Sequence, residues 1–115
     1  MEAVSILLKT LKSKNCITDV KKAEKEVLTE QIVLKKGDDL FIRDAVTGLG
    51  TILKEDLDNH YYVTTVKVGA FGNVLPQAIV LRDGENADLA VYAHEGLIKQ
   101  NLAKKAIEKL KTVLC

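Results

Sequence analysis

The run Tyr61-Tyr62-Val63-Thr64-Thr65-Val66-Lys67-Val68 constrains this chain more than any other segment. β-branched and aromatic residues fill it, which suits a pleated, half-buried strand and disfavours a helix. Strand side chains alternate between faces, so Tyr62, Val66 and Val68 share one face while Tyr61 and Val63 share the other. Both faces are therefore partly apolar, and both need cover.

The ends of the chain carry a different period. Val4, Leu7, Leu8 and Leu11 recur at helical spacing with Lys9, Lys12 and Lys14 opposite, predicting an amphipathic helix of about three turns. Thr18 or Asp19 suits the N-cap of a second helix, in which Val20, Ala23, Val27 and Leu28 share a face. At the other end the reading predicts a helix over Leu97–Leu114. Ile98, Leu102, Ala103, Ala106, Ile107, Leu110, Val113 and Leu114 cover about half its circumference, a stripe broad enough to lie across a sheet.

Between these ends the chain reads as strands. Ile32–Leu34 is short and followed by turn chemistry at 35–39. Leu40–Asp44, a turn at Val46-Thr47-Gly48, and Thr51–Leu53 read as two antiparallel strands. Val74–Leu81, a turn at Asp83-Gly84-Glu85-Asn86 and Leu89–Ala93 complete the series after a loop at 69–73. Pro76 lacks an N–H and belongs near a strand start. The expected architecture is α+β: two N-terminal helices, a four- to six-stranded antiparallel β-meander, and a C-terminal amphipathic helix packed on the sheet. With 115 residues, 47% of them hydrophobic, one domain over residues 1–115 is expected. Three helices on such a sheet leave room for a second copy to cover part of it.

Charge narrows the function. The formal net charge is +1. It is unevenly spread: residues 1–36 hold eight lysines against five acids, residues 37–95 four basic against ten acidic residues, and residues 96–115 five lysines against one glutamate. Near-neutrality argues against bulk polyanion binding, and Arg43 and Arg82 are the only arginines for base recognition, so nucleic acid is not an expected partner. Neither a membrane span nor a secretory leader is legible, and a cytoplasmic protein is expected. Cys16 and Cys115 fit two free thiols there.

Candidate sites are few. Tyr92, His94 and Glu95 lie where the last strand hands over to the last helix; a histidine and a carboxylate there suit acid–base work, or Glu95 simply complements the helix dipole. Phe71, at the tip of the 69–73 loop, is either folded back on the sheet or offered to a partner. Glu55, Asp56, Asp58 and His60 make an acidic cluster, but the spacing matches no calcium loop and no metal site is expected. Gly48-Leu49-Gly50 lacks the third glycine of a dinucleotide cradle, since Leu53 stands there, and no phosphate loop exists. Gly69-Ala-Phe-Gly72 has the spacing of an RNA-clamping loop, yet it joins strands where that clamp joins helices.

No cofactor is implied and no catalytic constellation emerges. The favoured expectation is a non-catalytic protein-interaction or accessory domain, acting as a homodimer or with a larger partner. The alternative is a small enzyme or ligand-binding protein with a helix–sheet cavity near Tyr92, His94 and Glu95, taking a small molecule.

Overall fold

The computed structural model describes residues 2–69, 75–94 and 101–115. Its elements run α1 (Glu2–Ser13), α2 (Val20–Glu24), β1 (Leu28–Val33), α3 (Asp39–Thr47), β2 (Ile52–Asp56), β3 (Tyr61–Thr65), β4 (Gln77–Asp83), β5 (Asn86–Tyr92) and α4 (Leu102–Leu114). The strands form one antiparallel five-stranded sheet in the order β1-β5-β4-β3-β2. The α+β expectation holds. Strands β2 to β5 are the meander, and β1 breaks it by docking beyond β5, across the sheet from β2.

The two faces of β3 go to two separate cores, as its alternation requires. Tyr62 and Val66 join Ile42, Val46, Leu89, Val91, Ile107, Leu110 and Leu114 beneath α3 and α4. Tyr61 and Val63 join Leu7, Leu8, Leu11, Ala23, Ile79 and Ala90 beneath α1 and α2. Helices thus lie on both faces of the sheet, so the ground for self-association that rested on an uncovered face falls away. Leu7, Leu11, Leu110 and Leu114 are completely buried, and truncating any one to alanine should cost about 2–5 kcal/mol.

Three elements depart from the sequence reading. Residues 39–47 form a helix where Leu40–Asp44 reads as a strand. Asp38 caps it, accepting a hydrogen bond from the Leu40 N–H at 2.9 Å, and Asp39 complements the dipole in the first turn. Ile42 and Val46 are buried one helical turn apart, with Phe41 and Ala45 partly buried beside them. Tertiary burial of that stripe overrides the strand preference of its β-branched residues.

The second helix stops at Glu24, not at Leu28. Asp19 caps it through the Lys22 N–H at 3.1 Å, and Leu28 opens β1 instead. The last helix begins at Leu102, because Asn101 sits in the left-handed region at φ 56°, which interrupts a helix. Residues 97–100 of the expected helix lie outside the described residues.

Two turns follow their glycines. Gly84 has φ +63° and, with Glu85, closes the β4–β5 hairpin between Asp83 and Asn86, a geometry that a side chain at residue 84 would strain. Gly50 lets the chain pass against β3: a Cβ there would fall on the Thr65 carbonyl oxygen. Pro76 is buried directly before β4, and its carbonyl accepts from the Val66 N–H at 2.9 Å.

Candidate functional site

An antiparallel sheet has two edges, and each edge strand presents unpaired backbone groups unless something guards them. Strand β2 is guarded. Its register is broken between Ile52 and Lys54, its sequence ends Lys54-Glu55-Asp56, and Arg43 reaches Glu55 at 3.5 Å. Bulges and charges of this kind discourage a further strand.

Among the described residues, strand β1 carries no such guard. It pairs with β5 over six consecutive positions, from Leu28↔Val91 to Val33↔Asn86, without a shift. Directly after it, the Leu34 N–H donates to the Glu85 carbonyl at 2.7 Å, so Leu34 belongs to the set that faces β5. Because antiparallel pairs alternate, Leu28, Glu30 and Ile32 also turn their backbone groups to β5, while Thr29, Gln31 and Val33 turn theirs outward. Among the described residues, no hydrogen bond engages those outward groups.

The side chains of Thr29, Gln31 and Val33 are exposed, Val33 at 67%. Leu28 is also exposed, at 44%, on the other face of the strand. The strand's one charge, Glu30, is neutralised locally: Lys111 Nζ of α4 lies 3.3 Å from its Oε2. That oxygen is buried and gains proximity without an aligned hydrogen bond, the alignment going to Oε1 at 3.5 Å. The result is an uncharged, extended and accessible strip of backbone.

A second feature lies where the sequence reading expects a helix–sheet cavity. Between α2 and the adjoining ends of β4 and β5 is a hollow of about 420 Å³, whose lining includes Cys16, Asp19, Lys22, Glu26, Tyr92 and His94. Tyr92 and His94 are thus brought together, Tyr92 buried in the α1-side core and His94 exposed. Burial raises the Tyr92 phenol above its ordinary range, with the Glu26 carboxylate adding to the shift. Asp19 is committed to capping α2, and the Cys16 thiol lies 3.9 Å from the Lys14 carbonyl. Among the described residues, no nucleophile here is hydrogen-bonded to a base, which is the geometry an activated thiol requires. Glu95 and Phe71, the other two candidates, lie outside the described residues.

The acidic cluster disperses. Glu55 faces Arg43, Asp56 holds the Asn59 side-chain and backbone nitrogens at 2.9 and 3.1 Å, and His60 turns to Asp39. Among the described residues, no three histidine, cysteine or acidic side chains converge to hold a metal ion. Both arginines face a carboxylate, Arg43 that of Glu55 and Arg82 that of Asp39. No helix among the described residues is long and apolar enough to cross a membrane. Cys16 and Cys115 are free and exposed.

The sequence reading missed β1's edge position. That position arises from pairing with β5, more than fifty residues away in the chain, for which no local signal exists. Comparison with protein families, curated proteins and solved structures returns no match for this chain.

Proposed function

We propose that this chain is a non-catalytic interaction domain that works by strand addition at β1, with a second copy of itself as the partner. The observation that carries the reading is the asymmetry of the two edges: β2 is bulged and charged, whereas β1 is regular and its outward backbone groups are unpaired among the described residues. An edge left in that state invites pairing, and soluble proteins ordinarily block it. The segregated charge supports the reading more weakly, since a surface with both signs suits a protein partner better than a polyanion.

The test is sedimentation or light scattering from low to high micromolar protein, comparing wild type with Gln31→Pro. Proline removes one outward N–H while leaving the β5 side of the ladder intact, a position at which a strand tolerates it. Wild type should form a concentration-dependent dimer, and the variant should remain monomeric with an unchanged far-ultraviolet circular dichroism spectrum. A wild-type monomer at high micromolar concentration overturns the reading. Val33→Lys, which alters only a side chain, should weaken the dimer in the same direction.

A second reading takes the hollow beside Tyr92 and His94 as a small-molecule site. Its support is the roughly 420 Å³ of space with Lys22, Glu26 and His94 at its walls, a size within the usual range for ligand pockets. Thermal-shift screening of small polar compounds, repeated on Tyr92→Ala, tests it; stabilisation that persists in the variant places the ligand elsewhere.

A further inference from the structure

We infer that two copies pair through β1 in one register, antiparallel and centred on Gln31, so that two five-stranded sheets become one continuous sheet. This rests on the strand-addition reading and goes further by stating which residues meet.

A two-fold axis perpendicular to the sheet keeps each side chain on its own face, so residues opposite one another must share parity. The backbone adds a second condition, because a hydrogen-bonded pair needs both residues turned outward. Thr29, Gln31 and Val33 meet that condition. Centring on Gln31 places Gln31 against the partner's Gln31 and Thr29 against the partner's Val33, twice by symmetry. Every outward group of the strand is then used.

Neighbouring registers do worse. Centring on Glu30 crowds that side chain, together with the Lys111 it pairs with, against its own copy in the closely spaced non-hydrogen-bonded position. Centring on Ile32 pushes Thr29 past the strand end, against the partner's Lys35. The Gln31 register instead opposes Glu30 to the partner's Ile32, and it aligns threonine with valine, a β-branched cross-strand pair.

Charge beyond the strand agrees. Glu26 and Lys36 are equally distant from Gln31, one before β1 and one after it, and both are exposed. In this register the Lys36 end of one protomer meets the Glu26 end of its partner, twice. A second copy thus satisfies the backbone parity of β1 and brings Lys36 toward the partner's Glu26 at each end, with Lys25 and Lys35 beside them.

The interface is small. A strand of six residues is roughly 20 Å long at about 3.4 Å per residue, so the pairing belongs with weak, concentration-dependent contacts.

The experiment is disulfide trapping in a Cys16→Ser, Cys115→Ser background, which removes the two exposed native thiols. Paired outward residues have Cα atoms about 5.5 Å apart, within the roughly 4.4–6.8 Å that a disulfide spans. Gln31→Cys should therefore cross-link to itself under mild oxidation. Val33→Cys should cross-link at least about tenfold more slowly, because residue 33 lies four positions from its own symmetry mate, roughly 13 Å along the strand. Adding Thr29→Cys to Val33→Cys should restore trapping. If light scattering shows a dimer but Gln31→Cys traps no faster than Val33→Cys, the register is wrong and strand addition survives. If the background variant is monomeric at high micromolar protein, as wild type would then also be, both fail together.

Discussion

Arg82 Nε lies 2.9 Å from Asp39 Oδ1, and the two residues are 43 positions apart in the chain. Arg82 lies one residue before the end of β4 and Asp39 opens α3, so the pair fastens the helix start to the sheet. The guanidinium adds Nη2 to Asp39 Oδ2 at 3.4 Å and Nη1 to the Gly84 carbonyl at 3.1 Å. His60 Nδ1 comes within 2.9 Å of Asp39 Oδ2, and the Tyr62 hydroxyl donates to the Asp39 backbone carbonyl at 3.1 Å. Asp39 is therefore where α3, β3 and β4 meet.

Replacing Asp39 by asparagine keeps the shape and removes the charge. Both side chains of the pair are largely shielded, 16% and 20% exposed, so the bond is worth more than a surface ion pair. Asp39→Asn should cost about 1–2 kcal/mol, a charge-assisted hydrogen bond's share. For a domain of this length that corresponds to roughly a 4–8 °C lower melting temperature. Chemical denaturation checks it, and a double-mutant cycle with Arg82→Gln should show coupling between the two positions. Additive losses would mean that the pair is only a neighbourly contact.

The same residue sets an acid dependence. Hydrogen bonding to Arg82 holds the Asp39 carboxyl below its ordinary value of 3.8, outweighing the opposing effect of burial. A carboxyl whose folded pKa is depressed contributes stability above its unfolded pKa and loses it as pH falls through the folded value. Urea midpoints should therefore fall as pH drops below about 4, and Asp39→Asn should flatten part of that drop. Asp56, lowered by its bonds from Asn59, acts with the same sign from an exposed position. Asp56→Asn separates the two. An unchanged acid limb in Asp39→Asn would remove Arg82 from the explanation.

Much of this fold is legible in the sequence wherever the signal is local. The two faces of Tyr61–Val68 enter the two cores as their alternation requires, and the Leu102–Leu114 stripe buries Leu102, Ala106, Ile107, Leu110 and Leu114. Helix α3 was readable in part: Asp38 is an N-cap residue, and Phe41, Ile42, Ala45 and Val46 recur at helical spacing. Its β-branched residues and the Val46-Thr47-Gly48 step favour strand and turn when weighed alone. What local signals do not contain is long-range pairing. The docking of β1 on β5, which makes it an edge, and the contact of Asp39 with Arg82 arise only once the sheet assembles. Of the candidate site residues, Tyr92 at the end of β5 and His94 just beyond it do meet at one hollow.

Gly50 tests the close approach of the α3–β2 connection to the sheet. Its backbone passes so near the end of β3 that a methyl group would collide with the Thr65 carbonyl and Oγ1. The Thr65 hydroxyl oxygen also accepts from the Thr51 N–H at 2.8 Å, which leaves it little freedom to retreat. Gly50→Ala should therefore destabilise by about 1–3 kcal/mol, the usual cost of overpacking. Gly48→Ala, where a Cβ would meet nothing closer than 3.5 Å, is the matched control and should stay within about 0.5 kcal/mol. A loss no larger at Gly50 than at Gly48 would mean that the connection shifts to admit the methyl group, because the entropy lost by the unfolded chain on Gly→Ala acts in the stabilising direction.

Alkaline pH addresses the two cores separately. Burial raises the phenols of both Tyr62 and Tyr92 above the ordinary value of 10, and in each case a nearby carboxylate reinforces the shift. A raised folded pKa means that the unfolded chain loses its proton first, so stability is complete below the unfolded pKa and declines as pH rises toward the folded one. Tyrosine absorbance should accordingly show the ionisation of Tyr62 and Tyr92 coinciding with loss of far-ultraviolet ellipticity. Tyr92→Phe should blunt the alkaline loss without a large change at neutral pH, because among the described residues its hydroxyl makes no hydrogen bond. Tyr62→Phe should blunt it too, but at a neutral-pH cost of about 1 kcal/mol for the bond to the Asp39 carbonyl. If the two variants behave alike at neutral pH, the Tyr62 hydroxyl does not help to hold α3 on the sheet.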